Sequence, residues 1–318
     1  MSPDRSGKAA QHAVAIYGSD DDLRARALPY VRAGLDAGET VLLMVTRRSG
    51  EVLRHGLGPE AGSVRWSIPG MDYGHLGRAS GVLGRFLAEQ RAASVPVRLV
   101  TEHGAEGLSN GTRTAAYLRA DAVANDIYGP YGYRWVCLYD RRRFPPEVLT
   151  DAAGVHPWLL GPDGRLTENT GYVRPLDYLA AHPGPVSAVP PAVPFDVRLR
   201  KLDDLAMARQ QVAETAHTLG LGVAGCRDVK VAAGEVIANA FRHGELPCRI
   251  RVWRDACAVV VRVDDLGSGR GLATAGFWPP DLATGSGAGL WLARQFADVL
   301  NIQAGPGQTS VEMRFPLN

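Results

Sequence analysis

From Ala180 to Pro194 the chain reads Ala-Ala-His-Pro-Gly-Pro-Val-Ser-Ala-Val-Pro-Pro-Ala-Val-Pro, a stretch with five prolines and no periodic apolar face. Proline lacks the backbone N–H that helices and sheet ladders need, so such a segment runs extended and marks a boundary. It divides the sequence into residues 1–180, a linker at 181–194 and residues 195–318, and it predicts that the two halves fold separately. With 318 residues the chain has the length for two domains, each with its own core.

Upstream of the seam, short branched-apolar runs alternate with longer helical patterns. Val14 to Tyr17, Thr40 to Val45, Val64 to Trp66, Val97 to Val100 and Arg134 to Leu138 read as strands. Asp20 to Ala37, His75 to Arg91, Thr112 to Ile127 and Pro145 to Ala153 read as helices, the first capped by Ser19 or Asp20 and ended by Gly38. This alternation predicts a three-layer α/β domain with a mostly parallel sheet. Thr46-Arg47-Arg48-Ser49-Gly50 follows a strand, yet it lacks the glycines and lysine of a mononucleotide loop. Glu102 and His103 fall just past a strand, where open sheets place ligand-binding groups. Their plainer reading is as polar loop residues satisfied by solvent or a neighbouring backbone.

Hydrophobic residues make up 46% of the chain, charged residues 21%, and the formal charge is +2, values of a soluble globular protein with no basic stripe for direct nucleic-acid binding. Arg141-Arg142-Arg143 is the one dense basic run and reads as a solvated loop. The N-terminus lacks the apolar core of a secretion signal, and no run is long enough to span a membrane. Cys137, Cys226, Cys248 and Cys257 show no Cys-x-x-Cys spacing, which argues against a thiolate zinc site and for a reducing, cytoplasmic setting. Cys248 and Cys257 can face each other across a hairpin turning near Asp255, although a pair of small buried hydrophobes is the preferred reading.

Downstream, Leu205 to Leu219, Gly225 to His243 and Gly289 to Val299 read as helices, and Arg249 to Trp253, Ala258 to Val263 and Thr309 to Phe315 as strands. They predict a mixed sheet with helices on one face, a two-layer α/β sandwich. Glu235, Asn239 and His243 recur every four residues, which sets a carboxylate, an amide and an imidazole along one side of a helix. Asn239 has a neutral oxygen to offer Mg2+, and Glu235 can orient or deprotonate a hydroxyl. His243, just before Gly244, is equally explained by the helix dipole. Asp265 follows a strand and can accept a hydrogen bond from adenine, with Gly267 and Gly269 letting the backbone turn close to a ligand. Gly287-Ala288-Gly289 opens a helix, followed by Leu290, and free amides there suit phosphate. Arg270 to Gly285, with Phe277-Trp278-Pro279-Pro280, reads as a loop able to cover a nucleotide.

Those motifs resemble the GHKL ATPase and kinase family, which includes gyrase, Hsp90, histidine kinases and serine-kinase anti-sigma factors. Glu235 and Asn239 match its N box, Asp265, Gly267 and Gly269 its adenine-side box, and Gly287, Gly289 and Leu290 its phosphate-side box, over about 195–318. The resemblance implies the Bergerat, histidine-kinase-like ATPase fold, ATP and Mg2+ as ligands, Asn239 as the metal contact, His243 among the nucleotide contacts, and Glu235 as the catalytic carboxylate. The short interval between the glycine boxes is similar to the anti-sigma branch. Residues 10 to 180 resemble the MEDS sensory domain through His12 with Ile16-Tyr17, Gly34 with Gly38-Glu39, Glu102, Cys137-Leu138-Tyr139-Asp140 and His156-Pro157.

Together the resemblances imply a serine kinase that phosphorylates an anti-anti-sigma (STAS) partner and sequesters an alternative sigma factor, governed by a small-molecule signal at the N-terminal domain, in a chain that can pair as a homodimer. Two rivals stand beside it: a sequestering module without catalysis, and a two-component histidine kinase. The second needs a phosphoacceptor histidine on a dimerising helix, and His217 lacks the acidic neighbour and the long second helix.

Overall fold

The computed structural model describes residues 11–69, 71, 75–102, 111–269, 272–280 and 287–317. His103, Arg270 and Gly285-Ser286 lie outside the described residues. The chain divides into two compact units, Met1–Met71 with Val82–Tyr178, and Asp72–Gly81 with Leu179–Asn318.

In the first unit β1 (Gln11–Tyr17), α1 (Asp20–Asp36), β2 (Thr40–Met44), α2 (Arg47–Leu57), α3 (Leu76–Ala92, its first turns in the second unit), β3 (Val97–Glu102), α4 (Gly111–Tyr128), β4 (Arg134–Asp140), α5 (Pro146–Gly154), β5 (Trp158–Leu160) and β6 (Leu166–Glu168) follow in order. They build a six-stranded sheet ordered β2-β3-β4-β1-β5-β6, parallel except for the β5–β6 hairpin. Ser19 caps α1 by accepting from Asp22 N, and Asp20, Asp21 and Asp22 place negative charge at the positive end of the helix. The period of two along the strands sorts the layers. Val136 and Leu138 of β4 join Leu23, Val31, Leu53 and Leu57 of α1 and α2 in one core, whereas Cys137 and Tyr139 turn to the opposite face and meet Asp121 of α4.

Three features of this unit depart from the sequence reading. Thr46 to Gly50, to which the sequence pattern assigns no secondary structure, opens a helix: Thr46 caps α2, and its side chain accepts from Ser49 N. Val64 to Trp66 contributes only an isolated bridge between Arg65 and Leu42. Glu102 ends β3 as a buried acceptor for Tyr17 Oη at 2.5 Å, Ser49 Oγ at 2.9 Å, and Thr46 N and Oγ1 at 2.9 and 2.7 Å. Those four donors tie β1, α2 and β3 together and explain the carboxylate structurally.

The second unit begins with α6 (Pro175–Ala181, ending in this unit), β7 (Phe195–Leu199), α7 (Leu205–Thr218), α8 (Val223–His243), β8 (Cys248–Arg254), β9 (Ala258–Asp265), α9 (Ala288–Phe296), β10 (Val299–Gly305) and β11 (Gln308–Pro316). Its five strands run β10-β11-β9-β8-β7, and every pairing is antiparallel, so the expected mixed sheet is corrected. The helices cover one face. Val229, Ala233, Val236 and Ala240 of α8 pack on Ile250, Val261, Val263 and Met313, and each fully buried valine contributes roughly 1.5–3 kcal/mol. Cys248 is buried in β8 and Cys257 is exposed in the turn between β8 and β9, so the two do not face each other across the hairpin and only Cys248 packs as a buried hydrophobe.

The sheet's other face is polar and partly covered by the proline-rich segment. Ser187 donates through N and Oγ to Glu312, both at 2.8 Å, while Arg262 Nη1 donates to Ser187 O at 2.9 Å and Asn301 Nδ2 to Pro185 O at 2.6 Å. Lacking ladder partners of its own, this segment is held by side chains instead.

Candidate functional site

The predicted site residues come together around the C-terminal half of α8. Glu235 and Asn239 are half-buried one turn apart, and His243 is exposed in the last turn. Gly244 ends the helix with an ordinary φ of −91°, so it is not needed for backbone freedom. It is needed for space, because a Cβ there would sit 2.6 Å from Asp265 Cγ. The end of α8 and the end of β9 are thereby brought into contact.

Asp265 is buried, and its Oδ1 accepts from Gly267 N at 2.8 Å and Glu245 N at 3.4 Å. Neither bond uses Oδ2. Burial pushes the carboxyl above the usual aspartate range against the pull of these two backbone bonds, with the charges of Asp264 and Glu245 adding to the rise. Gly269 has φ +56°, and a Cβ there would fall 2.5 Å from Ala304 Cβ and 2.6 Å from Thr309 Oγ1, so no other residue fits the turn. Thr309 pairs with Asp265 across β11 and β9 and donates to Gly267 O at 3.0 Å.

Thr309 is not among the site residues that the sequence motifs point to; it shares a strand face with Val311, Met313 and Phe315, and its hydroxyl is the one polar group in that row.

The phosphate-side glycines meet the same helix from the other direction. Gly287, at φ +79°, precedes α9 without a side-chain cap, and Gly287 and Ala288 are exposed. A Cβ on Gly289 would lie 3.1 Å from Glu235 Oε2. Leu290 is buried in the core and anchors the helix rather than facing a ligand. The described part of the covering loop rests on α9, where Arg294 Nε donates to Ala275 O at 3.1 Å and its guanidinium stacks 3.8 Å over the Phe277 ring.

A carboxyl-bearing strand end, tight glycine turns and an uncapped helix N-terminus thus border the C-terminal half of α8. Comparison with known families bears on this directly. The family model for the histidine kinase-like ATPase domain matches residues 200–315, and that for MEDS, the MEthanogen/methylotroph, DcmR Sensory domain, matches residues 11–157. The chain joins a MEDS domain to a histidine kinase-like ATPase domain. No curated protein matches the chain. The ATPase domain's family is one of nucleotide binders. Among the described residues no helix is long and apolar enough to cross a membrane.

Proposed function

We propose that the chain is an ATP-dependent protein serine kinase of the anti-sigma type. It phosphorylates a serine on an anti-anti-sigma STAS partner and holds an alternative sigma factor, in the cytoplasm and under control of a signal received by residues 1–180. Magnesium-bound ATP would supply the phosphoryl group and neutralise its charge. Asn239 would offer its amide oxygen to Mg2+, the free Oδ2 of Asp265 would accept from adenine, and amides opening α9 would hold the phosphates. His243, at the rim, would add a contact to the nucleotide.

The observation that carries this reading is the approach of Glu235 Oε2 to Gly289. It puts a carboxylate of α8 beside the helix end suited to phosphate, so a hydroxyl held by Glu235 would lie next to the group being transferred. His217, the rival phosphoacceptor, is exposed in the last turn of the 14-residue α7, with Nδ1 3.2 Å from Leu221 O and no acidic residue next to it in sequence.

Radiolabelled ATP with a candidate STAS-domain partner tests the proposal. Phosphate on a partner serine is expected. Phosphate on His217 would instead make the chain a histidine kinase, and tight partner binding without transfer would make it a sequestering module.

A further inference from the structure

Four buried side chains from four separate elements converge in the first unit: His12 of β1, Asp121 of α4, Cys137 of β4 and His156 just past α5. One donor atom from each lies within 4.8 Å of the others. His12 Nε2 is 3.2 Å from Cys137 Sγ and 3.5 Å from Asp121 Oδ1, Cys137 Sγ is 3.7 Å from Asp121 Oδ1, and His156 Nε2 is 3.4 Å from Asp121 Oδ2. A tetrahedral ion with metal–nitrogen bonds of about 2.0–2.1 Å and a metal–sulfur bond of about 2.3 Å has donor–donor edges of about 3.3–3.6 Å. Those four spacings are close to these edges, and the other donor pairs, all within 4.8 Å, need only draw inward for the shell to close.

The surrounding hydrogen bonds fix which atoms face inward. Asn125 Nδ2 donates to Ala122 O and Val155 O, which turns Asn125 Oδ1 toward His12 Nδ1 at 3.0 Å. His156 Nδ1 is 2.6 Å from Ala152 O. Both partners are acceptors, so both Nδ1 atoms carry hydrogen and the neutral rings direct Nε2 lone pairs at the carboxylate and the sulfur. His156 Nε2 is buried and makes no hydrogen bond. Trp135 Nε1 donates to Thr101 Oγ1 at 2.7 Å, which leaves the Thr101 hydroxyl to donate to Cys137 Sγ at 3.2 Å. Without a metal the Cys137 S–H donates to Asp121 Oδ1, and the two Nε2 lone pairs converge on the same carboxylate and sulfur, a donor set that a cation can join. One thiolate and one carboxylate would balance a divalent cation, leaving no net charge in the interior.

We propose that His12, Asp121, Cys137 and His156 form a four-ligand site for a divalent transition-metal ion, best suited to Zn2+. Two imidazoles, a thiolate and a carboxylate in a tetrahedral arrangement favour that ion, and four protein donors make the site closed. Binding replaces the Cys137 S–H bond with a sulfur–metal bond and releases the proton to solvent. A cavity of about 350 Å³, lined by His12, Asn125, Tyr128, Trp135 and Pro157 among others, lies beside the cluster and gives the ion a way in.

The test uses the full-length, tag-free chain, stripped with chelator and reconstituted with Zn2+ or Co2+ without nucleotide. About one ion per chain is expected, and the Co2+ form should show intense four-coordinate visible bands with a thiolate charge-transfer band. Cys137→Ser should abolish that band and His156→Gln should weaken uptake at least tenfold, whereas Cys257→Ser, at an exposed cysteine of the other unit, should change neither. X-ray absorption on the unmutated Zn2+ form should find one sulfur and two imidazoles in the shell, a result that does not depend on the variants folding. Failure of the unmutated chain to take up either ion, a shell without sulfur, or an unchanged band in Cys137→Ser would overturn the proposal.

Discussion

Asp265 and Thr309 face each other across β9 and β11, and Thr309 Oγ1 ties the backbone of Gly267 in the turn that follows Asp265. The aspartate and the hydroxyl thus fix the start of the glycine turn from both strands. Asp265→Asn should lower ATP affinity about 10–100-fold, since it replaces a charged acceptor at a buried site. Thr309→Val keeps the shape and removes the tie, so a loss of about 1 kcal/mol in stability with a smaller loss of affinity is expected. Calorimetry with ATP and thermal unfolding measure the two effects; Thr309→Val binding as tightly as the unmutated chain would remove the turn from the adenine pocket.

Glu235→Gln keeps the size of the side chain at the Gly289 contact and removes its basicity. Transfer to the partner should fall about 10²–10⁴-fold, with ATP binding changed by no more than about threefold. Gly289→Val should impair both, because the added carbons must displace Glu235. Quantitative phosphotransfer assays alongside binding isotherms distinguish the patterns, and equal losses for Glu235→Gln in binding and transfer would contradict a role in transfer alone.

Asp264 lies on the opposite face of the sheet, where burial alone would raise its carboxyl pKa. Ser310, Arg251 and Arg262 outweigh burial and hold it below the usual range. A carboxylate depressed in the folded state stabilises the fold above its unfolded pKa, and that contribution is lost as pH falls through its folded pKa. Unfolding free energy should therefore drop as the buffer is acidified below the ordinary aspartate range, more steeply than in Asp264→Asn. At neutral pH that variant should lose about 3–5 kcal/mol, because the buried Arg262 and the half-buried Arg251 lose their counter-charge. Urea titrations across a pH series measure both.

Ser187→Ala should release the proline-rich segment from Glu312. The buried carboxylate loses the Oγ bond, at a cost of about 1–3 kcal/mol. Limited proteolysis should then cut near residues 183–191 sooner than in the unmutated chain, and an unchanged cleavage rate would mean that other contacts hold the segment.

Much of the architecture was legible locally. Ser19 before three aspartates, the branched-apolar strands and the periodic apolar side of α8 declare their structure within a few residues of themselves, because helix caps and side-chain periodicity act at that range. β7 and β10 are not evident in the sequence because each is held by a neighbouring strand more than by its own pattern, whereas α2 does carry a helical period, burying Ser49, Gly50, Leu53 and Leu57 on one side. Glu235 and Asn239, one helical turn apart, were readable for the same local reason, and so were the glycines around Asp265.

Sequence by itself determined the pairing of an α/β sensory half with an ATPase half and the residue types that could meet a nucleotide. Only the tertiary structure decided that Gly244 must be small to admit Asp265, that Thr309 belongs to the turn after Asp265, and that Glu235 reaches Gly289. The same holds for Cys137, dismissed as a metal ligand because no cysteine stands near it in sequence, yet set among His12, Asp121 and His156 in space. Spacing along a chain reports contacts within one element, whereas packing of a sheet between helices joins side chains more than a hundred residues apart, and no periodicity encodes that approach.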